Sequence, residues 1–232
     1  MINNQETKIN VIFPDNVLPY VKMQCNDDFF IYENPPYVQV AEPFLATLSP
    51  KYCLELGAGI GRMSLYFYKR FNWNNTKFYL QDGDAGDVQY GGIRYSNDSE
   101  YYNSFEATDS FCRTNGLENF SVIQDIGTIA EKIDFVYSFA SIGFHWHINL
   151  YLDKLLPHLT AESRLLFEIK APKTQEDEVD ATTLREYQAF FDDQINYARN
   201  HPHYQIIDLI NLDNYVGANY KDKTNFLVLA LK

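Results

Sequence analysis

The chain has 232 residues, 46% of them hydrophobic and 16% aromatic, with a formal net charge of -12. That length fits one large core, since single cores stop growing at about 250 to 300 residues, and the composition is far from that of a disordered chain. The acidic balance disfavours nucleic acid as a partner, because phosphate backbones are bound by Lys and Arg displacing counterions; Lys69, Arg70 and Lys77 are a local basic strip against that trend.

Cys25, Cys53 and Cys112 are widely spaced, with no CxxC or Cys/His cluster. Neither a disulfide framework nor a metal site is predicted, and a reduced, cytoplasmic setting is expected. The opening MINNQETKIN lacks the apolar stretch of a secretory signal, and no segment approaches the roughly 20 apolar residues needed to span a bilayer. No membrane partner is expected.

Residues 1–50 carry Pro14, Pro19, Pro35, Pro36 and Pro43 and many aromatics, so no long element is predicted before a short helix near Gln39 to Leu48. From Tyr52 short apolar runs alternate with helical stretches, the pattern of βαβ units around a mostly parallel sheet. Strands are predicted at Tyr52 to Leu56, Lys77 to Gln81, Phe120 to Gln124, Ile133 to Ser138, Arg164 to Ile169, Tyr204 to Leu209 and Asn225 to Leu231. Helices are predicted at Arg62 to Phe71, Ser99 to Asn115 and Thr182 to Arg199. Another is expected where Ile148, Leu152, Leu155, Leu156 and Leu159 share one helical face. The acidic run Gln175 to Asp180 reads as an exposed loop. The fold class is therefore α/β: a seven-stranded, mostly parallel sheet with helices on both faces, spanning 51–232, after an extension over 1–50 placed to cover a substrate.

The first strand runs into Glu55, Leu56, Gly57, Ala58, Gly59, Ile60, Gly61 and Arg62, a glycine turn leading to a helix. Such a turn lets ligand approach the backbone, and the helix N-terminus favours an anionic group. A dinucleotide fingerprint, GxGxxG, would need glycine at 62, where the chain has Arg62. The form present, ExGxGxG, resembles motif I of class I S-adenosylmethionine-dependent methyltransferases, which implies their Rossmann-like fold. The resemblance implies S-adenosylmethionine as cofactor and S-adenosylhomocysteine as product. It implies that Glu55 lies near the methionine amine and that Gly57, Ala58, Gly59, Gly61 and Arg62 line the cofactor.

Further candidates stand at the following strand ends. Asp82, with Gly83 beside it and Asp84 in reserve, is placed for a ribose diol, since one carboxylate accepts hydrogen bonds from both hydroxyls. By the same resemblance Asp125 meets the adenine amino group and Ile126 the ring; the competing reading makes Asp125 a helix cap. Ser138, which ends the fourth strand, and Phe139, which follows it, complete the predicted cofactor set. The loop beyond them holds His145 and His147, whose reference pKa near 6.5 suits a base for a hydroxyl proton, although both could equally be packing or capping residues. This loop loosely resembles that of sugar-modifying methyltransferases.

Asn34 to Tyr37 spell NPPY, a motif of amino methyltransferases, but only about 18 residues separate it from Glu55, too few for the strands a permuted order would need. Lys170 follows the fifth strand as in ribose methyltransferases, yet Ser138 stands where that family needs Asp. Asp84 to Asp98, with Tyr20, Phe29, Phe30, Tyr32 and Tyr37, could form a lid. The expected activity is methyl transfer to a hydroxyl of a small molecule such as a sugar or secondary metabolite. The alternatives are an N-methyltransferase acting on a small amine, protein or nucleic acid, and a cofactor-binding protein without turnover.

Overall fold

A computed structural model describes residues 11–18, 36–83, 104–139, 141–143, 146–170, 181–211 and 224–232. The strands are β1 (Tyr52–Leu56), β2 (Lys77–Gln81), β3 (Phe120–Ile123), β4 (Ile133–Ser138), β5 (Leu159–Lys170), β6 (Tyr204–Asn211) and β7 (Thr224–Leu231). The helices are α1 (Pro36–Leu45), α2 (Arg62–Arg70), α3 (Phe105–Thr114), α4 (Asn149–Leu155) and α5 (Ala181–Asn200). The strands form one sheet in the order β3-β2-β1-β4-β5-β7-β6. The β3–β2, β2–β1, β1–β4 and β4–β5 ladders are parallel, and β7 runs antiparallel to both its neighbours.

Both faces of the sheet are covered, which is why its central strands read as nearly unbroken apolar runs. Along β1 successive side chains alternate between the faces. Cys53 joins a core with Ala41 and Leu45 of α1, Leu65 and Phe67 of α2 and Phe111 of α3, whereas Leu54 and Leu56 join Leu152 and Leu155 of α4 and Ile195 and Ala198 of α5. The seven-stranded α/β class read from the sequence is the architecture observed.

The strand order turns at β1, with β2 and β3 on one side and β4 onward on the other. Connections leave such a point on opposite faces, opening a crevice beyond the carboxyl ends of β1 and β4. The glycine turn follows β1 directly into this crevice.

Two elements depart from their expected extent. The helical face predicted to continue to Leu159 stops at Leu155, and a single 3-10 turn over Leu156–His158 precedes β5. Pro157 explains the stop, because its ring cannot coexist with a continuing helix and it lacks an amide. Leu159 instead pairs with Ile133, ahead of a register shift in the β4–β5 ladder. Ser163 stabilises the irregular strand start: its hydroxyl donates to Ile133 O at 2.6 Å and accepts from Thr160 N at 2.8 Å.

The segments before β1 are packed into the fold. Val17, Ala41 and Leu45 are buried in the same cluster as Cys53. Glu42 of α1 takes a bidentate ion pair from Arg70, 3.0 Å on each side, and a bond from Tyr66 OH at 2.6 Å. Burial beside that carboxylate raises the Tyr66 phenol well above its usual range. Asn115 grips the Ile12 backbone through both ends of its amide, at 2.7 and 2.8 Å. The expected lid over Asp84 to Asp98, the aromatics Tyr20, Phe29, Phe30 and Tyr32, the Gln175 to Asp180 run and the first turns predicted for the third helix lie outside the described residues.

Candidate functional site

Three glycines give the turn its shape: Gly57, Gly59 and Gly61 have φ of 67°, 54° and 79°, a region that L side chains rarely adopt. The neighbours add a second constraint. A methyl group at Gly57 would overlap the Ser141 side chain from the loop after β4, and one at Gly61 would come within 2.9 Å of Cys112 Sγ and 3.0 Å of Leu80. The turn is thus clasped between two loops and α3, where Thr108 Oγ1 also donates to Gly59 O at 3.0 Å.

Gly61 is the cap residue of α2 and supplies no side-chain bond. Glu55 takes that part from the strand below, its Oε2 accepting from Ser64 N at 3.1 Å and from Ser64 Oγ at 2.5 Å. Ser64 Oγ is in turn 2.5 Å from Tyr137 OH on β4. A carboxyl at a helix start is well placed electrostatically, yet Glu55 is buried and its pKa is pushed up to about 8, with desolvation outweighing the Ser64 bonds. Burial also raises the Tyr137 phenol, followed by the charge of Glu55.

Asp82, at the end of β2, reaches back to the turn. Its Oδ2 accepts from Gly59 N at 2.5 Å and its Oδ1 from Gly83 N at 2.8 Å. The strand ends are tied together by Ala58 N to Gln81 O and Asp82 N to Ile123 O. Glu55, Gly57, Ala58, Gly59, Gly61, Arg62, Asp82 and Gly83 therefore gather around one turn at the mouth of the crevice. Asp84 lies outside the described residues.

Asp125 is exposed and caps the 3-10 turn Ile126–Thr128, accepting from Gly127 N at 2.9 Å. This is the bond pattern the capping reading requires. Ile126 is buried. Ser138 is buried as well, donating to Leu56 O at 2.8 Å and accepting from Ile142 N at 2.9 Å, so it fastens the loop after β4 to β1. Phe139 packs on Phe67 and Phe226, with ring centroids 5.7 and 5.4 Å apart.

The two histidines separate. His145 lies outside the described residues. His147 turns toward α5: its Nδ1 accepts from Asn149 N at 3.1 Å, its Nε2 is 3.2 Å from Asp193 Oδ2, and its ring stands edge-on to Phe190 and Tyr197. Desolvation holds its pKa below the usual value, against the pull of Asp193. Its place is at the start of α4, against α5.

Several contributors escaped the sequence reading. Ser141 and Thr108 flank the turn, Ser64 links Glu55 to Tyr137, and the Tyr151 phenol of α4 lies close enough to Gln81 and Asp82 to feel both. Gln194 of α5 is buried and holds the loop after β4 at two points, donating to Gly143 O at 2.9 Å and accepting from Ile148 N at 3.3 Å. Only the position of Ser64, third in the helix after a glycine turn, carried a signal, since a third-position amide seeks an acceptor.

The sequence matches no protein-family model, and no curated protein matches it. The structure does have counterparts. The O-methyltransferase from Bacillus cereus in complex with SAH superposes with a TM-score of 0.57 at 10% identity, covering 94% of this chain and 89% of that one. The fold is that of class I methyltransferases. TomG from Streptomyces achromogenes, an O-methyltransferase of tomaymycin synthesis in complex with SAM, gives 0.55 at 11% identity over 97% and 92% of the two chains. The SAH-bound Podospora anserina methyltransferase PaMTH1 gives 0.51 at 11% over 98% and 91%.

Proposed function

We propose that the chain binds S-adenosylmethionine in the β1–β4 crevice and transfers its methyl group to a hydroxyl of a small molecule, such as a sugar or secondary metabolite. The observation that carries this reading is the pairing of Asp82 with the Gly59 amide at the switch point of a methyltransferase fold. The donor set suits the cofactor. A strand-end carboxylate can accept from a ribose diol, the start of α2 draws a carboxylate, and buried Glu55 offers a hydrogen-bond acceptor to an ammonium. Asp125 and Ile126 are assigned to the adenine ring by the resemblance alone.

When bound, the cofactor supplies a sulfonium-activated methyl group, so alignment with the acceptor supplies much of the acceleration. The residues of this chain hold, orient and exclude water: the glycine turn fixes the depth of binding, while Ser138 and Gln194 set the loop that faces the acceptor. His145 remains the proposed proton acceptor; His147 helps to frame the loop. The acidic chain favours a small-molecule partner over nucleic acid. No helix among the described residues is long and apolar enough to cross a membrane.

Calorimetry with S-adenosylmethionine and S-adenosylhomocysteine tests the core of this reading. Binding of both is expected, and failure of both to bind would overturn it. Turnover is then sought with radiolabelled donor and pooled small hydroxyl compounds. In that assay a His145→Gln variant that keeps full turnover from pH 6 to pH 9, roughly the window where His titrates, would remove His145 from the mechanism.

A further inference from the structure

The loop after β4 is held as a unit. Gly143 N donates to Trp146 O at 2.6 Å and Trp146 N to Ser141 O at 3.2 Å, closing it on itself. One side abuts the glycine turn, where Ser141 lies against Gly57, and the other is seated on α5 through Gln194. His147 leads from this loop into α4.

Ile148, the cap position of α4, makes no side-chain cap bond, and His147 Nδ1 takes the Asn149 amide instead, at 3.1 Å. An imidazole nitrogen that accepts a hydrogen bond carries no proton, so the ring is neutral with its proton on Nε2. That Nε2 is buried without a hydrogen bond, although Asp193 Oδ2 lies 3.2 Å away. Ser, Asp or Asn would cap the amide without orphaning a buried donor. What histidine adds is a second protonation state near neutrality.

A proton on Nδ1 sets two N–H groups face to face and breaks the Asn149 bond. Asp193 attracts the cation, but its side chain is 75% exposed, where charge is screened. The ring is packed against Phe190 and Tyr197, and burial outweighs that attraction to lower its pKa. A base so held takes up a proton more readily once released, so the seat is whole above the ordinary histidine value and is lost as pH falls through the folded one. Among the described residues, Asp193 and Tyr197 of α5 face the ring. Beyond Tyr197 stands a second pair, His201 against Asp153 of α4 at 3.2 Å, with His201 Nδ1 accepting from His203 N at 3.3 Å.

We propose that His147 is a positioning residue that works only as the neutral imidazole: it seats the loop after β4 against α5, and a proton on Nδ1 releases the loop and with it the wall that faces the methyl acceptor. The release stands on the contacts just described; its effect on the acceptor rests on the methyl-transfer reading.

Hydrogen exchange of the full chain tests it, read as protection factors from about pH 7.5 to about pH 5.5, a window around the ordinary histidine value near 6.5. In the wild type the Asn149 and Ile148 amides lose protection as pH falls, by up to about tenfold per pH unit, the limit for one linked proton, while buried Val136 in the central sheet keeps its own. His147→Asn, whose amide oxygen caps but does not titrate, abolishes that dependence. The His203 amide, bonded to His201, is the internal control. The proposal is overturned if Asn149 and Ile148 protection is independent of pH in the wild type, if His147→Asn keeps the dependence, or if nitrogen NMR of the wild type at about pH 7.5 finds the ring proton on Nδ1. The wild-type exchange and ring tautomer decide the matter even should the variant fold poorly. In the pooled-acceptor assay the wild-type KM for the acceptor rises as pH falls through the same window; an unchanged KM beside pH-dependent exchange overturns the acceptor half of the proposal. Absence of S-adenosylhomocysteine binding by the wild type would instead strike the methyl-transfer reading itself.

Discussion

At the residue scale, Glu55 shows how a motif position acquires a physical character that its letter does not convey. The sequence marks it as the acid of the glycine motif, but only the packing reveals that it is buried, caps α2 through Ser64 and titrates near 8. Unfolded, the same carboxyl ionises near its ordinary value of 4.5. Between those pH values the folded chain retains a proton that the unfolded chain has released, so this residue makes the cofactor-free protein less stable as pH rises from about 4.5 to about 8. Denaturation midpoints across that interval should fall more steeply for the wild type than for Glu55→Gln. Asp82 is the converse case, legible as an acid at a strand end and found just after β2, with its bond to Gly59 beyond the reach of sequence. Asp82→Asn exchanges a charged acceptor for a neutral one, and calorimetry should show S-adenosylhomocysteine affinity reduced about tenfold to a hundredfold, in line with the strength of charge-assisted bonds. Asp125 was open between ligand contact and cap because one side chain type serves both, and its bond to Gly127 was invisible to spacing alone.

At the scale of elements, the strands and most helices were readable because burial on both faces leaves apolar runs and glycine or proline marks their ends. The helix before β5 was read too long because Leu156 and Leu159 continue the helical period while Pro157 interrupts the backbone; there the proline decides, not the period. What no pattern announces is contact between elements distant in sequence. The hold of Gln194 on Gly143 and Ile148 spans 51 and 46 residues, between α5 and the loop after β4. Replacing Gln194 by Leu leaves a buried amide and a buried carbonyl without that partner, at about 1 to 3 kcal/mol each. Faster hydrogen exchange at the Ile148 amide and a lowered unfolding free energy are the expected outcomes, with S-adenosylhomocysteine affinity little changed, since Asp82 and the glycine turn are untouched.

Across the whole molecule, the seven-stranded, mostly parallel sheet was legible in outline, because alternating strand and helix signals admit few topologies; the reversed direction of β7 was not. The docking of the early segments was not, since Ile12, Val17 and Leu45 carry no periodic mark that would direct them to α2 and α3. Those contacts give α3 a double attachment, to the Ile12 strand of chain on one side through Asn115 and to the glycine turn on the other through Thr108. Cys112 stands on the same helix, buried, its Sγ close behind Gly61, and burial raises its thiol well above the ordinary range. A thiol so placed is a clock for the turn. It reacts only when α3 and the glycine loop part, so in a background carrying both Cys25→Ser and Cys53→Ala the labelling rate of Cys112, the remaining thiol, counts those partings. A cofactor that bridges the turn and Asp82 should slow the count by the same factor by which it stabilises the closed form, turning an inert side chain into a direct measure of how often the site opens.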